Sequence, residues 1–282
     1  MNYHDIKSQL SVAGIDTADL EARILLEDVA GIPKSEFLFQ KDAALPTDVA
    51  QKIQTIIDRR VGGESLGRVL GYRDFWNSRF YLSADTLEPR PDTETLIEAA
   101  LDCDTPPKRI LDLGTGTGCI LLSLLQEFPD AIGVGVDIAG GACVTARENA
   151  QRLGLQNRAT FLNGSWFEPL ANESQFDLIV SNPPYIPSVE IRNLQNEVKN
   201  HDPILALDGG EDGLLPYKFL LPNFKNYLEQ GGTVLLEFGA GQVDDIVRIV
   251  EDAGATLIRT IHDLGGHPRV VKIAFGDNSK KG

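Results

Sequence analysis

Arg109-Ile110-Leu111-Asp112-Leu113-Gly114-Thr115-Gly116-Thr117-Gly118-Cys119 sets the architecture of this 282-residue chain. The first five residues are an apolar run of strand length. Three glycines at alternate positions then lead into a helix that should begin near Cys119. Further apolar runs follow at Gly133 to Asp137, Thr160 to Leu162, Phe176 to Val180 and Thr233 to Glu237, separated by helix-forming sequence. Such alternation predicts an α/β fold with a parallel sheet covered by helices on both faces. Two more β-rich runs, Ala255 to Ile261 and Arg269 to Phe275, have only a loop between them. A parallel pair needs a crossover longer than that, so these two should pair antiparallel and complete a seven-stranded sheet.

On the N-terminal side the pattern is different. Asp19 to Ala30 is rich in helix formers and stops at Gly31, and after Pro46-Thr47 the residues Val49, Ile53, Ile56 and Ile57 recur at helical spacing. A small helical bundle is expected there. Arg68 to Trp76 and Arg79 to Leu82 read as strands flanking an Asn77-Ser78 turn. The predicted division is a helical domain over 1–67, a β-hairpin linker over 68–88 and a sheet domain over 89–282, with a polar tail, Asp277 to Gly282, expected to fray.

Composition narrows the function classes. With 42% hydrophobic residues the chain can build real cores, yet no run approaches the roughly 20 apolar residues of a membrane span. The start of the chain lacks the basic-then-apolar layout of a secretion signal, which favours the cytoplasm. Three scattered cysteines and four scattered histidines suggest neither a disulfide framework nor a metal site. A formal net charge of -15 argues against a protein that neutralises many phosphates, so no nucleic-acid partner is expected.

A glycine-rich turn between strand and helix lets a ligand approach the backbone and points amide N–H groups at it. Asp137 ends the second strand, where a carboxylate can accept from both hydroxyls of a ribose; its plainer reading is a cap for the Ala139-Gly140-Gly141 turn. Nicotinamide and adenosylmethionine cofactors both fit such an acid. The nicotinamide fingerprint wants a small residue where Cys119 stands, so the spacing leans toward S-adenosylmethionine. Asp112, Gly114, Thr115, Gly116, Gly118, Asp137 and Ile138 are the candidate cofactor residues.

Ser181-Asn182-Pro183-Pro184-Tyr185 follows directly on the fourth strand run, at a carboxyl-terminal end where open sheets bind ligands. Pro183 and Pro184 fix their own φ and bias the preceding residue away from helix, which stiffens the loop around Asn182. An amide or aromatic amino nitrogen is a poor nucleophile because its lone pair is delocalised. If the Asn182 side-chain oxygen and the Pro183 carbonyl both accept from a substrate NH₂, they favour a more tetrahedral nitrogen, and Tyr185 supplies a flat wall. In-line methyl transfer from a sulfonium needs positioning and dipoles more than a strong base or a metal.

With these motifs in hand, the chain resembles the protein-(glutamine-N5) methyltransferases that modify release factors, the HemK or PrmC family. The likeness spans nearly the whole chain. It runs through Glu21 to Leu26, Leu70 to Phe75, Pro89-Arg90-Pro91-Asp92-Thr93-Glu94, the glycine loop, the Asn-Pro-Pro-Tyr motif and Ala206 to Gly210. It implies a Rossmann-like seven-stranded class I methyltransferase domain, preceded by a helical bundle that helps hold the release factor. It implies that the sheet domain binds S-adenosylmethionine and receives the glutamine of a Gly-Gly-Gln loop. By position, Asn182, Pro183, Pro184 and Tyr185 would hold the glutamine amide, with Arg90, Thr93 and Glu94 bordering the site and Asn182 also touching the cofactor. Trp166 would lie near the adenine. Family members often carry an acidic residue before that aromatic, and Ser165 stands there instead.

Apart from that resemblance, Arg90 and Glu94 read as a surface ion pair or a helix start, and Trp166 as a packing residue. A glutamine methyltransferase for a ribosomal protein would differ mainly in its substrate-holding domain. A DNA adenine-N6 methyltransferase shares the nitrogen chemistry, but the net charge disfavours it. A non-catalytic cofactor-binding module and a nicotinamide oxidoreductase are further alternatives. A monomer is expected.

Overall fold

The computed structural model describes residues 1–170 and 175–276, so the tail expected to fray lies outside the described residues. The chain forms two compact units: Met1–Gly71 with Asn196–His201, and Tyr72–Gln195 with the residues from Asp202 onward.

The first unit is helical: α1 (Tyr3–Val12), α2 (Ala18–Asp28), α3 (Phe37–Gln40), α4 (Thr47–Val61) and α5 (Leu66–Leu70). Asn2 and Asp5 close a reciprocal capping box at the start of α1. Of the stripe read from the sequence, Ile53 and Ile57 are fully buried against Ile6, Leu10, Leu25 and Leu26, with Val49 and Ile56 at the margin of that core. The run beginning at Arg68, expected to be extended, is helical as far as Leu70. Ser65 caps it by accepting from the Arg68 N–H at 3.1 Å, and Gly71 closes it at φ 80, so local capping outweighs the β preference of Val69.

The second unit opens with a hairpin of β1 (Tyr72–Phe75) and β2 (Ser78–Tyr81), in which Phe75 pairs with Ser78. The turn is therefore Trp76-Asn77, one residue before the expected one, with Trp76 in the left-handed region at φ 53. Glu94 holds it there, accepting the Trp76 N–H at 2.7 Å, while Glu127 takes the indole N–H at 2.6 Å. The hairpin is fastened to this unit rather than standing as a free linker: Asn149 exchanges two 3.0 Å hydrogen bonds with the Tyr81 backbone.

After a 3-10 turn at Pro91–Thr93 come α6 (Glu94–Leu101), β3 (Arg109–Leu113), α7 (Cys119–Glu127), β4 (Ile132–Asp137), α8 (Gly140–Arg152), β5 (Ala159–Asn163) and β6 (Phe176–Ser181). The chain then lends α9 (Asn196–Lys199) to the helical unit, where Glu197 meets Arg60 at 2.9 Å beside the buried Arg60–Glu21 pair. It returns through α10 (Leu215–Phe224), β7 (Leu228–Glu237), α11 (Val243–Asp252), β8 (Thr256–His262) and β9 (Pro268–Ala274).

The seven strands lie in the order β5-β4-β3-β6-β7-β9-β8; β9 is antiparallel to β8, as their short connection required, and also to β7. Helices α6, α7 and α8 cover one face, and α10 and α11 the other. The chain starts at β3, runs outward through β4 and β5, and returns to β6 on the opposite side of β3. That reversal opens a crevice at the carboxyl ends of β3 and β6. Leu113 pairs with Ser181 in this register, so the glycine loop and the Asn-Pro-Pro-Tyr segment leave the sheet side by side. Among the described residues no helix is long and apolar enough to cross a membrane.

Candidate active site

A cavity of about 570 Å³ lies over this crevice. Its floor is Gly114 to Thr117; its sides are Asp137 to Ala139, Trp166, Asn182 and Pro184, with Arg90 and Thr93 on one flank and Leu205, Leu215 and Phe219 on another.

The floor is built by the backbone. Val136 O accepts from both Gly114 N (2.8 Å) and Thr115 N (3.0 Å), and Thr115 O from Gly118 N (2.8 Å). Gly116 stands at φ 55, and a Cβ there would project into open space, with no atom within 4 Å. Gly118, at φ 78, is needed for another reason: its Cβ would come within 3.2 Å of Leu122 and Ala146, where α7 and α8 approach. Asp112 lies beneath the loop rather than on the cavity wall. Its Oδ2 accepts from Thr115 Oγ1 at 2.6 Å and its Oδ1 has no partner among the described residues. Burial, with a smaller push from the Asp137 charge, lifts the Asp112 carboxyl up to about 7.

Asp137 makes the cap read from the sequence and also lines the cavity. Its Oδ1 accepts from Ala139 N at 2.9 Å, fastening the turn into α8, and its Oδ2 accepts from Gly116 N at 2.8 Å, while the residue lines the cavity. Burial raises its pKa and those two amides oppose the shift. Ile138, beside it, is exposed toward the cavity. Trp166 sits at φ 49, and a Cβ on Gly114 would stand 3.8 Å from its ring. Ser165 lines the cavity too, and its N–H donates to the Glu168 carboxylate, which reaches the same wall from three residues further on.

Asn182 is half-buried and its Nδ2 donates to Thr93 Oγ1 at 3.1 Å. Pro183 is buried behind the wall, whereas Pro184 is part of it. The Tyr185 ring packs on the core under α10 and α11, its carbonyl accepts from Gln242 Nε2 at 3.0 Å, and burial pushes its hydroxyl up to about 12. Ile186 N and O bond to Leu207 O and Gly209 N, which ties the loop to Ala206–Gly210. Arg90 is not a free surface charge: its guanidinium meets the buried Asp202 carboxylate at 2.6 Å. Glu94 lies away from the cavity lining, holding Trp76 as described.

Several residues escaped the sequence reading, Glu168 and Phe219 of the cavity wall among them. Asp85 lines the cavity from the segment after the hairpin. Glu237, buried at the end of β7, stands behind Asn182. The signal for Glu237 was present, since it closes an apolar strand run as Asp137 does.

The site suits an adenosylmethionine-like cofactor. Asp137 can meet a ribose and Trp166 with Phe219 an adenine, while the volume above Gly116 is one that any Cβ would invade. Among the described residues the wall carries Asp85, Asp137, Glu168 and Asp208 against Arg90 alone. An acidic wall favours the cationic sulfonium and ammonium of that cofactor over a pyrophosphate.

Comparison with known proteins agrees. A family model described as "PrmC N-terminal domain" matches residues 3–71 and one described as "Methyltransferase domain" matches residues 104–256. A release factor glutamine methyltransferase of Rhodospirillum rubrum is 46% identical over 262 residues, covering 93% of this chain and 80% of that protein. One of Agrobacterium fabrum is 41% identical over 271 residues, covering 94% and 93%. A solved ribosomal protein L11 methylase from Lactobacillus delbrueckii subsp. bulgaricus aligns over 66% of this chain and 79% of its own at 18% identity, with a TM-score of 0.49. An S-adenosylmethionine-shaped cradle and a full-length likeness converge: the chain belongs to the release factor glutamine methyltransferase family.

Proposed function

We propose that the protein transfers a methyl group from S-adenosylmethionine to the side-chain amide nitrogen, N5, of the glutamine in the Gly-Gly-Gln motif of a peptide chain release factor. The observation that carries this is the Asn182 amide beside the glycine floor, its nitrogen bonded to Thr93 and its residue on the cavity wall. The chemistry S-adenosylmethionine supplies is a methyl group on a sulfonium, released as the neutral thioether S-adenosylhomocysteine.

Asn182 Oδ1 and the Pro183 carbonyl accept the two N–H bonds of the substrate amide, drawing electron density back onto its nitrogen. As the N–C bond forms the C–S bond of the sulfonium breaks, its electron pair staying on the sulfur, and the nitrogen gives up one of those protons to solvent water. Pro184 walls the nitrogen in, the Tyr185 ring anchors the loop on the core instead of lining the cavity, and the stiffness of the two prolines keeps the acceptors aimed without reorganisation. Glu168 compensates for the serine at position 165 by bringing a carboxylate to the adenine side of the cavity. Gly114, Thr115, Gly116 and Gly118 shape the cofactor floor, with Asp112 propping Thr115 from below.

The helical unit grips the release factor. With a net charge of -15 the protein works on a protein partner rather than a duplex, as a monomer in the cytoplasm. Incubation of the pure protein with methyl-labelled S-adenosylmethionine and, in parallel, a release factor, ribosomal proteins or duplex DNA, followed by mass spectrometry of the peptides and nucleosides, tests the assignment. One methyl is expected on the motif glutamine, and a label on lysine, on a ribosomal protein only, or on adenine in DNA would replace it with another acceptor.

A further inference from the structure

Glu237, the last residue of β7, is 1% exposed, and its Oε2 has no hydrogen-bond partner among the described residues. An unpaired buried carboxyl oxygen costs stability, so a fold that retains one has a reason to do so. Its position suggests the reason. Ser181 pairs with Leu236 on the neighbouring parallel strand, so Asn182, the first residue past β6, comes beside Glu237, the last residue of β7. Asn182 Nδ2 donates to Thr93 Oγ1, and the Thr93 hydroxyl and the Asn182 amide both favour the charged form of the Glu237 carboxyl. Thr93 and Asn182 line the cavity; Glu237 does not.

An ionised carboxyl can only accept, whereas an amide has a donor end and an acceptor end. With Glu237 behind it, the amino end of Asn182 is drawn inward and its oxygen is the end left for the cavity. We infer that Glu237 is a positioning residue, holding Asn182 through Thr93 so that Asn182 Oδ1 faces the amide to be methylated. This rests on the reading above, in which Asn182 accepts from a substrate NH₂.

The other groups around Glu237 are Arg269 on β9, which favours its charge, and Asp92 before α6, which opposes it; the Tyr185 and Tyr217 phenols and the Cys119 thiol on α7 also feel that charge. Burial outweighs them all and pushes the carboxyl up to about 7. Once protonated, Glu237 becomes a donor to Thr93, Thr93 can turn its hydrogen to Asn182 Oδ1, and the Asn182 amino group can swing outward against the substrate's own. Wild-type single-turnover methylation should therefore fall about tenfold between pH 8 and pH 6, following the ionised fraction of one group.

The test measures single-turnover methylation of a release factor glutamine across that pH range by the wild type, Glu237→Gln, Thr93→Val, the double variant and Asn182→Ala, with S-adenosylmethionine affinity by calorimetry and melting temperature as controls. Glu237→Gln and Thr93→Val are each expected to lower the pH 8 rate on the order of 10²-fold with affinity near normal, to flatten the acid limb, and to combine no worse than about threefold below either alone. A wild-type rate in Glu237→Gln, a persistent acid limb, or additive losses in the double variant would overturn the inference. Should Glu237→Gln not fold, Thr93→Val must show both the slow rate and the flattened limb, and either one missing overturns it too. A wild type that leaves the glutamine unmethylated, or an Asn182→Ala protein as fast as wild type, defeats the functional reading itself; normal behaviour in those two with a normal Glu237→Gln defeats only the role of Glu237.

Discussion

Replacing Asn182 by alanine removes one hydrogen-bond acceptor from the cavity and leaves the rest of the wall in place. In the free protein the side chain makes one 3.1 Å bond to Thr93 Oγ1, so its loss should cost folding about 1 kcal/mol, a fall of about 2–4 °C in melting temperature for a chain of this length. The glycine floor is held by Val136 O and Asp137 rather than by Asn182, so S-adenosylmethionine affinity should change by less than about fivefold. The methyl-transfer step should suffer far more. As the substrate nitrogen bonds to carbon its N–H bonds become more acidic, and an acceptor worth about 1 kcal/mol to the neutral amide strengthens toward the roughly 3–4 kcal/mol typical of preorganised polar contacts to developing charge. The rate should fall on the order of 10²- to 10³-fold, in kcat rather than in KM. Single-turnover methylation at saturating cofactor reads this directly. A loss below about threefold, or a loss confined to KM, would show that Asn182 binds the substrate without activating it.

Gly116→Ala places a methyl group in the open space above the floor at φ 55, so S-adenosylmethionine affinity should drop at least about tenfold by calorimetry, with a stability loss of only about 1–2 kcal/mol; unchanged affinity would move the cofactor off this loop. Asp112 binds its proton more tightly folded, at about 7, than unfolded, at 3.8, so its contribution is fully present below pH 3.8 and is lost as pH rises through 7. Asp112→Asn should flatten that part of the pH–stability curve, with the difference from wild type growing by up to about 4 kcal/mol between pH 4 and pH 8 in urea melts, and parallel curves would refute the assignment.

Much of this protein could be read from local sequence. Strand runs alternating with helical ones specify a covered parallel sheet because both faces of each strand must be buried, and the short gap before Arg269 forces the final antiparallel pair. The glycine floor and the proline-stiffened Asn182 were legible for a similar reason: the conformations they need are available to few residue types, so the requirement is written in the residues themselves. Other features depended on partners distant in the chain. Glu94 carries no mark that its carboxylate holds Trp76 in a left-handed turn 18 residues earlier, nor Arg90 that it pairs with Asp202, 112 residues later. Val69 reads as strand until the caps at Ser65 and Gly71 close a helix around it. Glu237 is an acid at a strand end in the sequence; only the strand order, which sets β7 beside β6, places it behind Asn182. Composition and periodicity act on neighbours along the chain, whereas hydrogen bonds and burial act on neighbours in space, and the sheet register decides who those are.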